Sequence, residues 1–403
     1  MKRLLFCLFV LSITASLSLP PLSSAQEDPI STYRVVAYYT SWSVYDRACF
    51  VTDIPADRIT HINYAFANIS DEGECVQGDA WADTGLSYPN DETDAELLGN
   101  FRQLNLLKEK YPHLKTLISV GGWTWSGKFS DVALTAESRS KFAASCVAFM
   151  QQYGFDGIDL DWEYPVGGGL AAGRPEDKQN FTLLLAELRA QLDAAGEGYL
   201  LTIAASASPT VYNEQMELDK IIEYLDWINV MAYDFYGGWS ETTGFQSALY
   251  SDTDNPSADA ATVSSDAALQ GYLAAGVPAD KLVMGVPFYG RGWSNVGDTA
   301  NGLYQPFNGL PNGTWEQGAF DYSDIEQNYL PTFNRYWHDQ AQVPWLYNPD
   351  RKIMIVYEDP ESLAVKADYV KKNGLGGIMF WELSADNDAA DLLNAVYTGL
   401  QAP

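Results

Sequence analysis

Residues Phe155 to Pro165 read FDGIDLDWEYP. Asp159, Asp161 and Glu163 alternate with Leu160 and Trp162, a period of two that belongs to a β-strand and puts the three acids on one face, neighbours ~7 Å apart. Three carboxylic acids on one side of a strand fit the inside of a closed parallel barrel. That interior leads up to a mouth at the C-terminal ends of the strands, where Glu163 would stand highest and Asp159 deepest.

Outward from this strand, short β-branched or apolar runs alternate with longer amphipathic stretches, the pattern of βα units and a parallel sheet. Eight strands are expected: 34–40, 59–66, 115–120, 155–162, 199–206, 225–231, 282–288 and 375–381. Helices are expected near 96–111, 136–153, 175–194, 213–224, 264–275, 361–372 and 385–398, with the first connection short. A chain of 403 residues accommodates one barrel of roughly 250 residues plus insertions. The fold class is therefore α/β, a (β/α)8 TIM barrel, with an open doubly wound sheet as the alternative. Residues 290–360 make too long a connection to lack structure. They read as a small α+β insertion between strand seven and the following helix, with strand-like runs at 343–347 and 352–357, forming a wall at the barrel rim.

The N-terminus carries Lys2 and Arg3, then an apolar stretch to about Leu19 and small residues up to Ala25. This is the pattern of a signal peptide over residues 1–25, leaving 26–403 as a secreted, extracellular catalytic chain with no membrane attachment. The full sequence has 53 acidic and 24 basic residues, a net charge of −29. Such a charge argues against nucleic acid and anionic membranes as partners and otherwise describes a solubilising surface. A monomer is expected. After loss of Cys7, Cys49, Cys75 and Cys146 remain. Cys49 with Cys75 is the disulfide candidate, because both sit in loop-like stretches flanking one strand, whereas Cys146 shares helical spacing with Phe142, Phe149 and Met150. Three His residues and no ligand-spaced pairs give no metal site, and no cofactor is expected.

Crowded acids in a low-dielectric channel cannot all ionise cheaply, so at least one proton stays with the set and an acid is available near neutral pH. A raised Glu pKa is what protonation of a glycosidic oxygen requires. A calcium site is the bland alternative, but Trp162 and Tyr164 flank the acids where calcium would want a flexible, oxygen-rich loop. Aromatics also collect after the strands, at Trp123, Trp125, Trp162, Tyr164, Tyr236, Trp239, Tyr289, Trp293 and Trp381. Sugar faces pack on such rings, although any single one is as readily a core residue.

DGIDLDWEYP, with SVGGWTW at Ser119–Trp125, MAYDF at Met231–Phe235 and MFWEL at Met379–Leu383, resembles the chitinases of glycoside hydrolase family 18, specifically bacterial-type ones with an inserted α+β domain. The resemblance spans nearly all of residues 34–398. It implies hydrolysis of chitin and chitooligosaccharides by a retaining, substrate-assisted route, an exception to the two-carboxylate scheme. It implies Glu163 as general acid/base, Asp161 as the partner of the substrate acetamide, Asp159 holding the proton inventory beneath it, and Tyr233 donating to the acetamide oxygen. Asp234 and Arg291 are expected at sugar, Tyr38 and Ser119 as supports of the buried aspartates, and Trp381 as the subsite floor. Trp123, Met231 and Tyr289 complete the expected substrate-binding set. An enzyme of the same family cutting glycoprotein glycans, and a lectin-like barrel that binds without cutting, are the competing readings.

Overall fold

Strands Arg34–Thr40, His61–Ile69, Lys115–Gly121, Gly157–Asp161, Leu200–Ser206, Trp227–Met231, Leu282–Pro287 and Gly377–Trp381 pair in parallel, each with the next and the eighth with the first. They close the expected (β/α)8 barrel. The computed structural model describes residues 33–402 except 90, 93 and 94, so the expected signal peptide lies outside the described residues.

Period-two alternation sorts the side chains of each strand between two cores. Val36, Tyr38, Leu117, Trp227, Val283 and Met379 fill the barrel interior. Their neighbours Val35, Ala37, Tyr39, Ile118, Ile158 and Leu160 face the surrounding helices. Trp227 carries His61 edge-on at 4.7 Å and the Arg34 guanidinium at 4.8 Å over its ring.

Helix Ala136–Tyr153 falls where the periodicity puts it, because its ends are written in the sequence. Thr135 accepts the Ser138 N–H at the N-cap, and Gly154 turns left-handed with φ 77° at the C-cap. Helix Pro360–Lys372 begins likewise at Asp359, which caps the Ser362 N–H, with Pro at the first turn. Other expectations shift. The run 213–224 breaks into one wide turn, Val211–Gln215, and one helical turn, Leu218–Ile221, because Met216 is extended between them. The last helix starts at Asp391, later than expected, where Asp386 caps the Leu392 and Leu393 N–H groups. The first connection is built of three 3-10 turns, Ser41–Val44, Val51–Asp53 and Ala56–Arg58.

Between strand seven and helix Pro360–Lys372 stands a five-stranded antiparallel sheet, ordered Ala319–Asp321, Tyr289–Ser294, Ile353–Val356, Val343–Asn348, Asn334–His338. It has its own core around Trp293, Trp345, Tyr347 and Met354. Both runs expected as strands are present; Tyr289–Ser294, Ala319–Asp321 and Asn334–His338 carry too little apolar alternation to announce themselves. Arg47, from the first connection, ties the sheet to the barrel: it meets Asp321 at 2.8 Å and Glu382 at 3.3 Å and lies over the Trp315 ring.

The expected Cys49–Cys75 bond is not formed, and Cys49, Cys75 and Cys146 are free. Cys75 sits on a short strand that folds back antiparallel along residues 67–69 and is carried toward helix Ala136–Tyr153, where its N–H donates to Ser145 Oγ and its thiol meets that of Cys146. Cys49 stays with the first connection, its carbonyl held by the Tyr39 hydroxyl.

Helix Pro360–Lys372 is anchored by a fully buried ion pair, Lys366 with Glu358, closed by Ser247 and Ser362. Lys366→Met is expected to cost about 3–5 kcal/mol, because it leaves Glu358 buried without its cation. Chemical denaturation of the variant against wild type measures this, and a change under about 1 kcal/mol would show that the site rehydrates freely.

Candidate active site

The acid-bearing strand enters the barrel as its alternation requires, with Asp159, Asp161 and Glu163 all buried. Asp159 is caged. Its Oδ2 accepts from Tyr38 and Ser119, each at 2.7 Å, and its Oδ1 from Thr202 at 2.6 Å and Asn229 at 3.5 Å. Ser119 and Thr202 are its register partners on the two adjacent strands, whereas Tyr38 reaches it from strand one. Trp227 Nε1 donates to Asn229 Oδ1 at 3.0 Å and so turns the amide nitrogen toward the acid. Burial raises the Asp159 carboxyl above the usual range, while these hydrogen bonds to the charged form oppose the rise.

One turn of the pleat higher, Asp161 has no such cage. Burial, then the charges of Glu163 and Asp159, push its carboxyl well above the carboxylate range. Its Oδ1 is buried with no hydrogen-bond partner among the described residues. A buried acceptor left open costs free energy unless something arrives to use it.

Glu163 stands at the mouth with its carboxyl pushed up to about 7, chiefly by burial, with the Asp234 charge adding and a hydrogen bond from Tyr164 opposing. It shares a cavity of about 510 Å³ with Tyr164, Ser206, Met231, Tyr233 and Asp234 among its lining residues. Tyr233 packs edge-on against Tyr289 at 6.3 Å. Burial holds both phenols well above their ordinary pKa, so both remain hydroxyl donors at neutral pH.

Asp234 adopts φ 58° and is clamped by Arg291 through two parallel hydrogen bonds of 2.9 and 2.8 Å. The guanidinium also lies over the rings of Trp239 and Tyr289, at 5.2 and 5.1 Å. Arg291, expected at sugar, therefore spends Nε and Nη2 on Asp234. Trp381 lies half-buried against Phe66, stacked at 5.6 Å, with Tyr38 and Trp42 at 5.4 and 6.4 Å. Trp123, 48% exposed, stands on the rim and does not line the cavity. Of the other rim aromatics, Trp162, Tyr236 and Trp293 are core residues, whereas Trp239 is 62% exposed.

Sequence reasoning missed Thr202, Asn229, Phe66 and Trp42, and also Ser126, whose Oγ accepts the Glu163 N–H at 2.8 Å. Thr202 and Asn229 were recoverable in part, as polar residues inside otherwise apolar strands. Ser126 gave no signal, since a serine in a loop is ordinary. No helix among the described residues is long and apolar enough to cross a membrane, and none of their His, Cys, Asp and Glu residues cluster as metal ligands would.

A barrel mouth whose Glu163 carboxyl is pushed up to about 7, with a buried carboxyl bearing an unpaired oxygen, phenol donors and exposed aromatic rings about it, is that of a glycoside hydrolase of the (β/α)8 class. The sequence matches Glycosyl hydrolases family 18 over residues 34–386, and the chain belongs to that family. It is 47% identical to Chitinase A1 of Niallia circulans, an alignment covering 94% of this chain and 60% of that protein. With Endochitinase 1 of Metarhizium robertsii it shares 39% identity over 90% of this chain and 83% of the relative. Among solved structures, chitinase ChiA74 from Bacillus thuringiensis superposes with a TM-score of 0.87 at 44% identity, covering 91% of this chain and 69% of that one. The Ostrinia furnacalis Group IV chitinase in complex with allosamidin superposes at 0.81 and 33% identity, covering 91% and 98%.

Proposed function

We propose that this protein is a secreted chitinase that hydrolyses β-1,4 bonds between N-acetylglucosamine units with retention of configuration, the substrate's own acetamide acting as nucleophile. The observation that carries the reading is the open Oδ1 of Asp161 beneath Glu163. A retaining enzyme of the two-carboxylate kind needs an ionised second carboxylate as nucleophile. Asp161 is held well above the carboxylate range and is a poor one, yet its buried oxygen suits the N–H of an acetamide.

Glu163 gives its proton to the glycosidic oxygen as the C1–O bond breaks, and the acetamide carbonyl oxygen takes C1 to form an oxazolinium ion. Asp161 accepts the acetamide N–H and, as its proton passes down to Asp159, becomes the carboxylate that balances the developing positive charge. Tyr233 donates to the acetamide oxygen. A water then loses a proton to Glu163, attacks C1 and reopens the ring, leaving the β-anomer and a reprotonated acid. Trp381 serves as the sugar floor, Arg291 holds Asp234 at the cavity wall, and Trp123 offers an outer aromatic surface. The names of the relatives support the substrate class, and Lys2, Arg3 and the apolar stretch behind them support export.

Because the protonated form of Glu163 does the first step, kcat/KM is expected to hold below pH 7 and to fall about tenfold per unit above it. A pH–rate profile with its basic limb near the ordinary glutamate value would detach the buried acid from the reaction. The reading itself is tested by incubating the protein with chitooligosaccharides and following the new reducing end by NMR. First appearance of the β-anomer supports it; binding without cleavage makes the barrel a lectin, and action on glycoprotein glycans alone changes the substrate.

A further inference from the structure

Glu163 stands two residues beyond the acid-bearing strand Gly157–Asp161, and its backbone is gripped from two sides, by the loop after strand three and by the later part of its own loop. On one side Ser126, buried in the loop after strand three, accepts the Glu163 N–H on its Oγ at 2.8 Å. The same hydroxyl points its own proton at the carbonyls of Gly122, 2.8 Å away, and Asp161, 3.0 Å away. One serine side chain thus touches the backbone of Asp161 and of Glu163 and pins both to the preceding loop. On the other side Gly169, in the glycine-rich segment 167–169, lies against the Glu163 carbonyl. A Cβ on Gly169 would fall 2.0 Å from Glu163 O and 2.8 Å from its carbonyl carbon, and the obstacle is backbone that cannot swing away. Both glycines before it, Gly167 and Gly168, have positive φ, so the segment reaches this contact by a path that side chains disfavour.

We propose that Ser126 and Gly169 are positioning residues that fix the height and direction of the Glu163 carboxyl at the barrel mouth, acting through its N–H and its carbonyl rather than through substrate. The proposal rests on Glu163 being the acid. A carboxyl must lie within hydrogen-bond reach of the atom it protonates, and misplacement by about 1 Å costs on the order of 10²-fold in rate. The side chain of Glu163 has few polar partners of its own, so its placement depends on the backbone that carries it. The Ser126 contact was not foreseeable from sequence, since Ser126 lies 37 positions before the residue it holds.

The test uses Ser126→Ala, which deletes one oxygen, and Gly169→Ala, with kcat, KM, the pH–rate profile and melting temperature measured for each on chitooligosaccharides. The expected result for Ser126→Ala is a folded enzyme with KM within about twofold of wild type and kcat down about tenfold or more. Its basic pH limb should move toward lower pH as the carboxyl escapes its buried position. Ser126→Thr, which keeps the hydroxyl, should restore the limb. Gly169→Ala should lose more in kcat, and if it does not fold, Ser126→Ala decides alone. A folded Ser126→Ala with wild-type kcat and an unmoved basic limb, whatever its melting temperature, would overturn the proposal and leave the contact as packing. Glu163→Gln measured alongside separates the two readings: if that variant turns over like wild type, it is the role of Glu163 that fails.

Discussion

Glu163→Gln is expected to bind chitooligosaccharides as tightly as wild type and to lose about 10²- to 10⁴-fold in turnover, roughly 3 to 5.5 kcal/mol of transition-state stabilisation. The amide occupies the same volume and keeps the Ser126 hydrogen bond, which is made by the backbone. What it cannot do is release a proton to a leaving alkoxide or take one from water, and both steps pass through this atom. Steady-state kinetics with an independent binding isotherm separates the two effects. Near wild-type turnover would remove Glu163 from its role and require another acid at the mouth.

Asp161→Asn is expected to be nearly as damaging, with kcat down about 10²- to 10³-fold, or roughly 2.7 to 4 kcal/mol, the magnitude found when one preorganised partner of a developing charge is removed. The asparagine oxygen can still accept the acetamide N–H, so KM should change little. Its NH2 group, however, must then face Glu163 or Asp159, and an amide cannot take on negative charge to balance the oxazolinium ion. The split between kcat and KM is the informative readout. A loss confined to KM would mean that Asp161 holds the sugar without sharing in the chemistry.

Much of this was legible in the chain because it is encoded locally. The alternation FDGIDLDWEYP sets which side chains face inward whatever closes around them, and the Thr135 cap and Gly154 stop mark the ends of one helix to the residue. Met231 could be placed at the mouth because it ends a strand, and Glu163, Tyr233 and Asp234 because they follow strand ends, which meet at one face of a parallel barrel, while Asp159 and Asp161 point into the interior below them.

Contacts between distant segments were not legible. Cys75 was assigned to Cys49 because both bordered the same strand, but pairing along residues 67–69 turned it to helix Ala136–Tyr153 instead. The two hydrogen bonds that Arg291 makes to Asp234, 57 positions away, also had no local sign in the chain. A strand's pattern says which way a residue points, not what it will meet there.

The sequence by itself determined the barrel, its acidic strand and the order of the acids along it, because those follow from a period of two and from strand polarity. The tertiary structure decided how each acid behaves. Tyr38, Ser119, Thr202 and Asn229 come from four different strands to cage Asp159, and Tyr38 lies 121 positions away. Asp161, two residues on, is left with an open oxygen. The difference between a satisfied carboxyl and one with an unpaired oxygen is set by the stagger at which the strands close, and stagger is a property of the assembled sheet.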